Sequence, residues 1–238
     1  MNETVIDVVD VVKVLGRGPG QVQALRGVSL ALAGGELTLL IGPSGSGKTT
    51  LLSILGCILS PTSGTVRVCG QSTAQMQPED MARLRRDHVG FIFQSYHLFP
   101  TLTAADNVRL ALDVRGESAG SAIARTKKAL AAVGLSHKTK SFPRQLSGGE
   151  QQRVAIARAI VGNPSAILAD EPTSALDGEN GHAIMKLLAQ IAKDQARAVL
   201  VVTHDPRILP FANRIVRIED GRIVGEEKGR SDAIEKRG

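Results

Sequence analysis

Leu37-Thr38-Leu39-Leu40-Ile41-Gly42-Pro43-Ser44-Gly45-Ser46-Gly47-Lys48-Thr49-Thr50-Leu51-Leu52-Ser53-Ile54-Leu55 is the stretch from which the rest of the chain is read. An apolar run gives way to a glycine-rich turn and then to residues with helical spacing, so the segment predicts buried strand, turn and helix. The turn fits G-x-x-x-x-G-K-[ST], the spacing of a phosphate-binding loop. Its glycines let backbone N–H groups curl into an anion nest, which a helix N-terminus reinforces with partial positive charge. Lys48 is placed to reach the β and γ phosphates of a triphosphate, and the Thr49 hydroxyl to ligate Mg²⁺. Gly42, Pro43, Ser44, Gly45, Ser46, Gly47 and Thr50 complete the candidate binding set. An ordinary turn between strand and helix needs none of this register.

Composition narrows the class. A chain of 238 residues holds one large domain or two small ones. With 42% hydrophobic and 22% charged residues it is globular, not disordered. There is no Trp and one Tyr, so the core must be Leu, Ile, Val and Ala. A net charge of +6 favours an acidic partner such as a membrane surface, a nucleotide or nucleic acid, without choosing among them. No apolar run approaches the ~18 residues of a membrane helix. Met1-Asn2-Glu3-Thr4 lacks the layout of a secretory signal, and Cys57 and Cys69 fit no metal or redox spacing. The expectation is a cytoplasmic protein with buried thiols, at a membrane only where a partner holds it.

Val5–Val14 and Val22–Leu32 read as strands joined by the turn Gly16–Gly20. A helix follows over Thr50–Leu59, then a strand over Gly64–Gly70, a short helix over Pro78–Arg86 and a strand, Gly90–Phe93, ending at Gln94. From Ser95 to about Gln145 the chain looks like a helical insertion. Thr103-Ala104-Ala105-Asp106 starts one helix, and Ala119–Val133 forms a second. Ser147-Gly148-Gly149-Glu150 is a capping box opening a helix to Ile160. Ala166–Ala169 and Ala198–Val202 are continuous apolar runs, as in strands buried on both faces of a parallel sheet. A helix over Glu179–Gln195 lies between them. The pattern is α/β, with its active loops at the carboxyl ends of the strands. The charged tail from Glu226 is expected to fray.

Asp170 and Glu171 close a buried apolar run, where adjacent carboxylates are costly unless something cationic or proton-accepting uses them. Asp170 is a candidate Mg²⁺ ligand, and Glu171 a candidate base for an attacking water. Ser147, Gly148 and Gly149 offer a hydroxyl and bare N–H groups at a helix start, which is either a plain cap or a second anion site. One triphosphate does not need two sites in one chain. The economical reading is that the second serves a phosphate held by another copy.

The ordered set of phosphate loop, Gln94, Leu146–Glu150, Ala166–Glu171, Ser174-Ala175-Leu176-Asp177 and His204 resembles the ATP-binding subunit of an ABC transporter over nearly the whole chain. The resemblance implies a phosphate-loop core of about 1–94 and 161–238 with a mainly parallel sheet and an N-terminal antiparallel β subdomain. A helical subdomain of about 95–160 would be inserted in it. It implies ATP and Mg²⁺ as ligands, the metal held by Thr49, Gln94 and Asp170, with Glu171, His204 and Gln94 as the catalytic set. It implies an ATP-dependent homodimer with Asp177 at the interface, at the inner face of the cell membrane. A permease would dock near Ser95–Leu102, and no direct contact with nucleic acid is expected.

Ile54–Cys57, Leu146–Ile156 and Ile167–Thr173 are similar to the lipoprotein-release, macrolide-export and heterocyst-glycolipid-export group. Ile191–Gln195 and Thr203–Leu209 lean to the last, while Ser174-Ala175 is closer to amino-acid importers. Leu15 falls where the family generally carries an aromatic residue that stacks on adenine. A regulatory ATPase acting through a membrane partner, and a soluble relative acting on nucleic acid, stand as alternatives.

Overall fold

The computed structural model describes residues 3–229, so Met1-Asn2 of the N-terminal reading and residues 230–238 of the tail lie outside it. Alternating aliphatic and polar residues build β1 (Thr4–Leu15) and β2 (Val22–Ala33), an antiparallel pair with Leu15 opposite Val22 at its tip. Then come β3 (Glu36–Ile41), α1 (Lys48–Leu55), β4 (Ser63–Val68), β5 (Gln71–Ser72), α2 (Pro78–His88) and β6 (Val89–Ile92). Helices α3 (Ala104–Asp113), α4 (Ala119–Ala132) and α5 (Gly148–Ile160) follow. The chain continues through β7 (Ala166–Asp170), α6 (Gly178–Ala192), β8 (Ala198–Thr203), β9 (Arg214–Glu219) and β10 (Arg222–Lys228).

The strands form two sheets. One is antiparallel, in the order β2-β1-β4-β5. The other has the order β10-β9-β3-β8-β7-β6 and is parallel except for β10. Because side chains alternate along a strand, the larger sheet is a wall between two cores. Leu37, Leu39, Ile167, Ala169, Val199 and Val201 face a core shared with α3, α4, α5 and α6. Leu40, Ala166, Leu168, Leu200 and Val202 face the other, shared with α1, α2 and the antiparallel sheet. Strands buried on both faces have no room for polar side chains until they end. β3, β6, β7 and β8 all end on one side, and their exits lead to the phosphate loop, Gln94, Glu171 and His204.

Several element bounds differ from the sequence reading. The first helix runs Lys48–Leu55, not to Leu59, because Cys57 adopts left-handed backbone (φ 56°) straight after Gly56. α6 ends at Ala192, three residues before Gln195. The expectation of a fraying tail from Glu226 is corrected: Glu226, Glu227 and Lys228 pair with Val216, Ile215 and Arg214 as the end of β10. Their charges are used across the hairpin, Arg214 meeting Glu226 at 2.6 Å and Arg217 meeting Glu227 at 2.7 Å. Of the thiols, Cys57 is buried, which pushes its pKa to about 11, whereas Cys69 is half-buried.

β6 lies so close to α5 that only glycine fits at position 90, where an added Cβ would collide with the Ala159 carbonyl oxygen. Gly90→Ala should therefore destabilise the protein by about 1–3 kcal/mol, the usual cost of overpacking. Urea denaturation should show a lower midpoint at unchanged slope. An unmoved midpoint would mean that the two elements separate freely.

Candidate functional site

The glycine-rich loop closes on itself around a lysine. Lys48 is 9% exposed, and its Nζ donates to the Gly42 carbonyl at 2.8 Å and to the Pro43 carbonyl at 2.7 Å. Gly47 is left-handed (φ 99°), and a Cβ there would sit 2.6 Å from the Ala24 carbonyl oxygen. At Gly42 a Cβ would collide with the Ile218 carbonyl oxygen, so the loop is wedged between β2 and β9. Ser46 Oγ is buried without a hydrogen-bond partner. An unsatisfied buried hydroxyl costs free energy.

A cleft of about 730 Å³ opens over the loop. Ser44, Gly45, Gly47, Lys48, Thr49 and Thr50 line it, with Gln94, Asp170, Glu171 and His204 from the strand exits and Leu15 from the β1–β2 tip. Gly42, Pro43 and Ser46 do not line it: Ser46 is buried, Gly42 half-buried and Pro43 exposed. Thr49 Oγ1 donates to Asp170 Oδ2 at 3.4 Å. Burial raises the Asp170 pKa and the Glu171 charge adds to the rise, while the Thr49 hydroxyl and Lys48 oppose it. Glu171 has left-handed backbone (φ 47°), a conformation of order 1–3 kcal/mol for a non-glycine residue. It is held there by its N–H to the Val202 carbonyl and by Ser174, whose N–H and hydroxyl both reach the Glu171 carbonyl. His204 Nδ1 lies 2.7 Å from Glu171 Oε1, and its ring is otherwise exposed. Against an ionised carboxylate, which only accepts, Nδ1 carries the proton.

Ser147, Gly148, Gly149 and Asp177 are not part of this cleft. They form a second patch, where α5 and α6 begin side by side. The capping box is real: Ser147 Oγ accepts from the Glu150 N–H at 3.2 Å, and Ser147 N–H donates to Glu150 Oε2 at 2.8 Å. Asp177 caps α6 through Asn180, accepting from its N–H and its Nδ2, both at 2.8 Å. Asn180 Oδ1 occupies the space a Cβ on Gly149 would need. Asn180, missed in the sequence, is therefore what joins Asp177 to the α5 start. The sequence also missed Asp220 and Gly221, which line the cleft from the β9–β10 turn. Gly221 N–H donates to the Ser46 carbonyl, and its own carbonyl accepts from Arg26 N–H. Asp220-Gly221 between apolar alternations is a strong hairpin signal and could have revealed them.

No residue of Ser95–Leu102 is buried, and of these Leu98 packs partly against the core. Phe99 is 50% exposed. His97 lines a separate groove of about 700 Å³ with Ile58, Phe91, Phe93 and Val114. Tyr96 turns the other way, its hydroxyl 3.0 Å from where a Cβ on Gly148 would stand.

A family model described as "ABC transporter" matches residues 25–174. The chain is 46% identical over 207 residues to the macrolide export ATP-binding/permease protein MacB of Shigella flexneri, covering 87% of this chain and 32% of that protein. MacB of Salmonella typhi is 46% identical over 222 residues, 92% of this chain and 34% of that one. The chain thus spans about a third of the length of these curated relatives. A solved dimeric post-hydrolysis state of the ATP-binding cassette MJ0796, bound to ADP and Pi, is similar at TM-score 0.85 and 40% identity, covering 94% of this chain and 98% of that one. CbiO1 of Clostridium perfringens, part of the ABC transporter complex CbiONQ, is similar at TM-score 0.86 and 26% identity, covering 98% and 92%. No helix among the described residues is long and apolar enough to cross a membrane.

The Glu150 carboxylate ties the start of α5 together, and the Ser147 N–H, then Lys138 at 3.3 Å, hold its pKa below the usual value. A depressed pKa stabilises the fold above the unfolded value and loses that contribution as pH falls through the folded one. Glu150→Gln should therefore be less stable than wild type at pH 7. The two denaturation midpoints should converge as pH drops from the ordinary glutamate range through the lower folded pKa. A difference that persists unchanged into strong acid would exclude the charge as its cause.

Proposed function

The chain belongs to the ABC transporter family as an ATP-binding, ATP-hydrolysing cassette, and from that premise we propose how its two patches work together. Two copies face each other so that the nucleotide on one phosphate loop meets Ser147, Gly148 and Gly149 of the other. Asp177 then lies at the seam. The observation that carries this reading is that these four residues stand outside the cleft that holds Lys48, Asp170 and Glu171. Ser147 Oγ accepts its cap bond and so keeps its own proton for a phosphate oxygen. A nucleotide that touches both copies has higher affinity for the closed pair, so binding drives closure and hydrolysis releases it.

Lys48 and the loop N–H groups hold the phosphates. Glu171, fixed by its strained backbone and oriented by His204, takes the proton of the attacking water. Gln94 lines the same cleft. Thr49, Asp170 and Gln94 would hold Mg²⁺, which would supply charge neutralisation at the phosphates. A single carboxylate among them, Asp170, suits Mg²⁺, which is bound by one or two carboxylates and completes its shell with phosphate oxygens and water.

We further propose that the stroke drives a membrane-embedded permease at the inner face of the cell membrane, with residues 95–160 as a helical subdomain that swings against the core. The docking site is the groove of Phe91, Phe93 and His97, with Phe99 exposed beside it, since aromatic anchors favour interfaces. An export role is supported by the similarity to macrolide exporters.

Glu171→Gln should keep ATP binding and lose turnover by about 10²–10⁴-fold, the usual loss for a positioned base. Light scattering should then find an ATP-dependent dimer that persists. Near-normal hydrolysis, or a monomer at saturating ATP, would sink the assignment.

Leu15 is 37% exposed at the cleft beside Val22, which is 62% exposed, so the wall at that end is aliphatic. We propose that it faces the base without a π-surface, leaving weak discrimination between ATP and GTP. Leu15→Tyr should tighten ATP about tenfold if stacking adds ~1.4 kcal/mol. Titrations with both nucleotides decide, and a hundredfold wild-type preference for ATP would refute the placement.

A further inference from the structure

Two consecutive residues just past Gln94, Tyr96 (φ 59°) and His97 (φ 48°), have left-handed backbone. Neither is glycine, and such conformations persist only where the surroundings impose them. The turn's own N–H bonds, Tyr96 to the Phe93 carbonyl and His97 to the Ser95 carbonyl, are joined by one side chain from another element. Arg158, in the last turn of α5, donates from one terminal nitrogen to the Tyr96 carbonyl at 2.7 Å and from the other to the His97 carbonyl at 2.5 Å. The His97 ring also lies 4.8 Å from that of Phe93, which keeps the turn folded back on β6.

The arginine is unusual in its own right. Burial pulls its pKa down, and no charged partner among the described residues opposes the shift. An arginine placed away from water without a counter-charge needs hydrogen bonds to compensate, and its two hydrogen bonds go to these carbonyls. The fork of the guanidinium suits the task, because two adjacent carbonyls are held at once. The same side chain lines the groove with Phe91 and Phe93, while Gln94 lines the cleft.

We propose that Arg158 is a positioning residue for Gln94. By holding the carbonyls two and three residues beyond it, Arg158 fixes the turn on which Gln94 is presented to the cleft. It also links that turn to α5, whose other end carries Ser147. A segment entering the groove therefore meets the side chain that sets Gln94. This inference rests on the role given to Gln94 above.

The test is Arg158→Lys, which keeps the charge but loses the planar two-nitrogen fork and is one atom shorter in reach. In steady-state ATP hydrolysis kcat should fall about tenfold to a hundredfold, as misplacing a reacting group does, with KM within about twofold. Hydrogen exchange should quicken at the amides of residues 95–99. In a Gln94→Ala background the lysine substitution should lower kcat no further, because both changes act on one group. A wild-type kcat in Arg158→Lys, or the same further loss without Gln94, overturns the proposal. If Gln94→Ala itself leaves turnover intact, the role of Gln94 fails instead, and unchanged exchange at 95–99 then refutes the clamp separately. Arg158→Gln, which keeps donors for one carbonyl, replaces the lysine variant should that not fold.

Discussion

The constraint on which the molecule depends is a sheet covered on both faces. β7 and β8 run through Ala166–Ala169 and Ala198–Val202 with every side chain buried, odd positions into one core and even positions into the other. Backbone groups are satisfied along the ladder, but a charged side chain anywhere inside it would be buried without water. Polar chemistry is therefore pushed to the strand exits. Parallel strands put those exits on the same side. Glu171, His204, Gln94 and the phosphate loop meet because the sheet leaves them no other place.

This explains why most of the site was legible in the sequence. The phosphate loop is a local pattern whose neighbours, strand before and helix after, are also local. Continuous apolar runs announced β7 and β8, and residues at the end of or just beyond those runs line the cleft. The C-terminal hairpin was read over because its alternation is interrupted by charge. Glu226 and Glu227 look like the start of a fraying tail until the strands pair and their charges face Arg214 and Arg217. The turn between them, Asp220-Gly221, then reaches the phosphate loop through Ser46. The end of α1 depended on something no local reading contains: at Gly56, just before the left-handed Cys57, a Cβ would collide with the Phe91 ring.

The loop after β6 illustrates a different limit. Its aromatic residues were visible, but not that they part company. His97 turns to the groove, Tyr96 towards the start of α5, and Phe99 to solvent. Two left-handed residues in succession produce that divergence, and nothing in Ser95-Tyr96-His97 signals them. The signal sits about sixty residues away, in an arginine in the last turn of α5 that burial leaves without an acidic partner among the described residues.

The start of α5 poses an electrostatic question that its geometry answers. An anion site with a glutamate three residues into its helix would repel the phosphate it is proposed to receive. Glu150 avoids this by spending its charge locally: one oxygen accepts from Ser147 N–H, and the other lies 3.3 Å from Lys138. The carboxylate is turned back across the cap and is neutralised there. What remains is the Ser147 hydroxyl proton and the N–H groups of Gly148 and Gly149, all early in the helix, where the first N–H groups have no intrahelical partner. Glycine is required at 149 because Asn180 stands against it. Asn180 in turn is held by Asp177, so the same contact that keeps the site bare also attaches it to α6. A change at Asp177 would therefore reach the α5 start without touching a phosphate, which couples the proposed seam to the anion site through a single amide side chain.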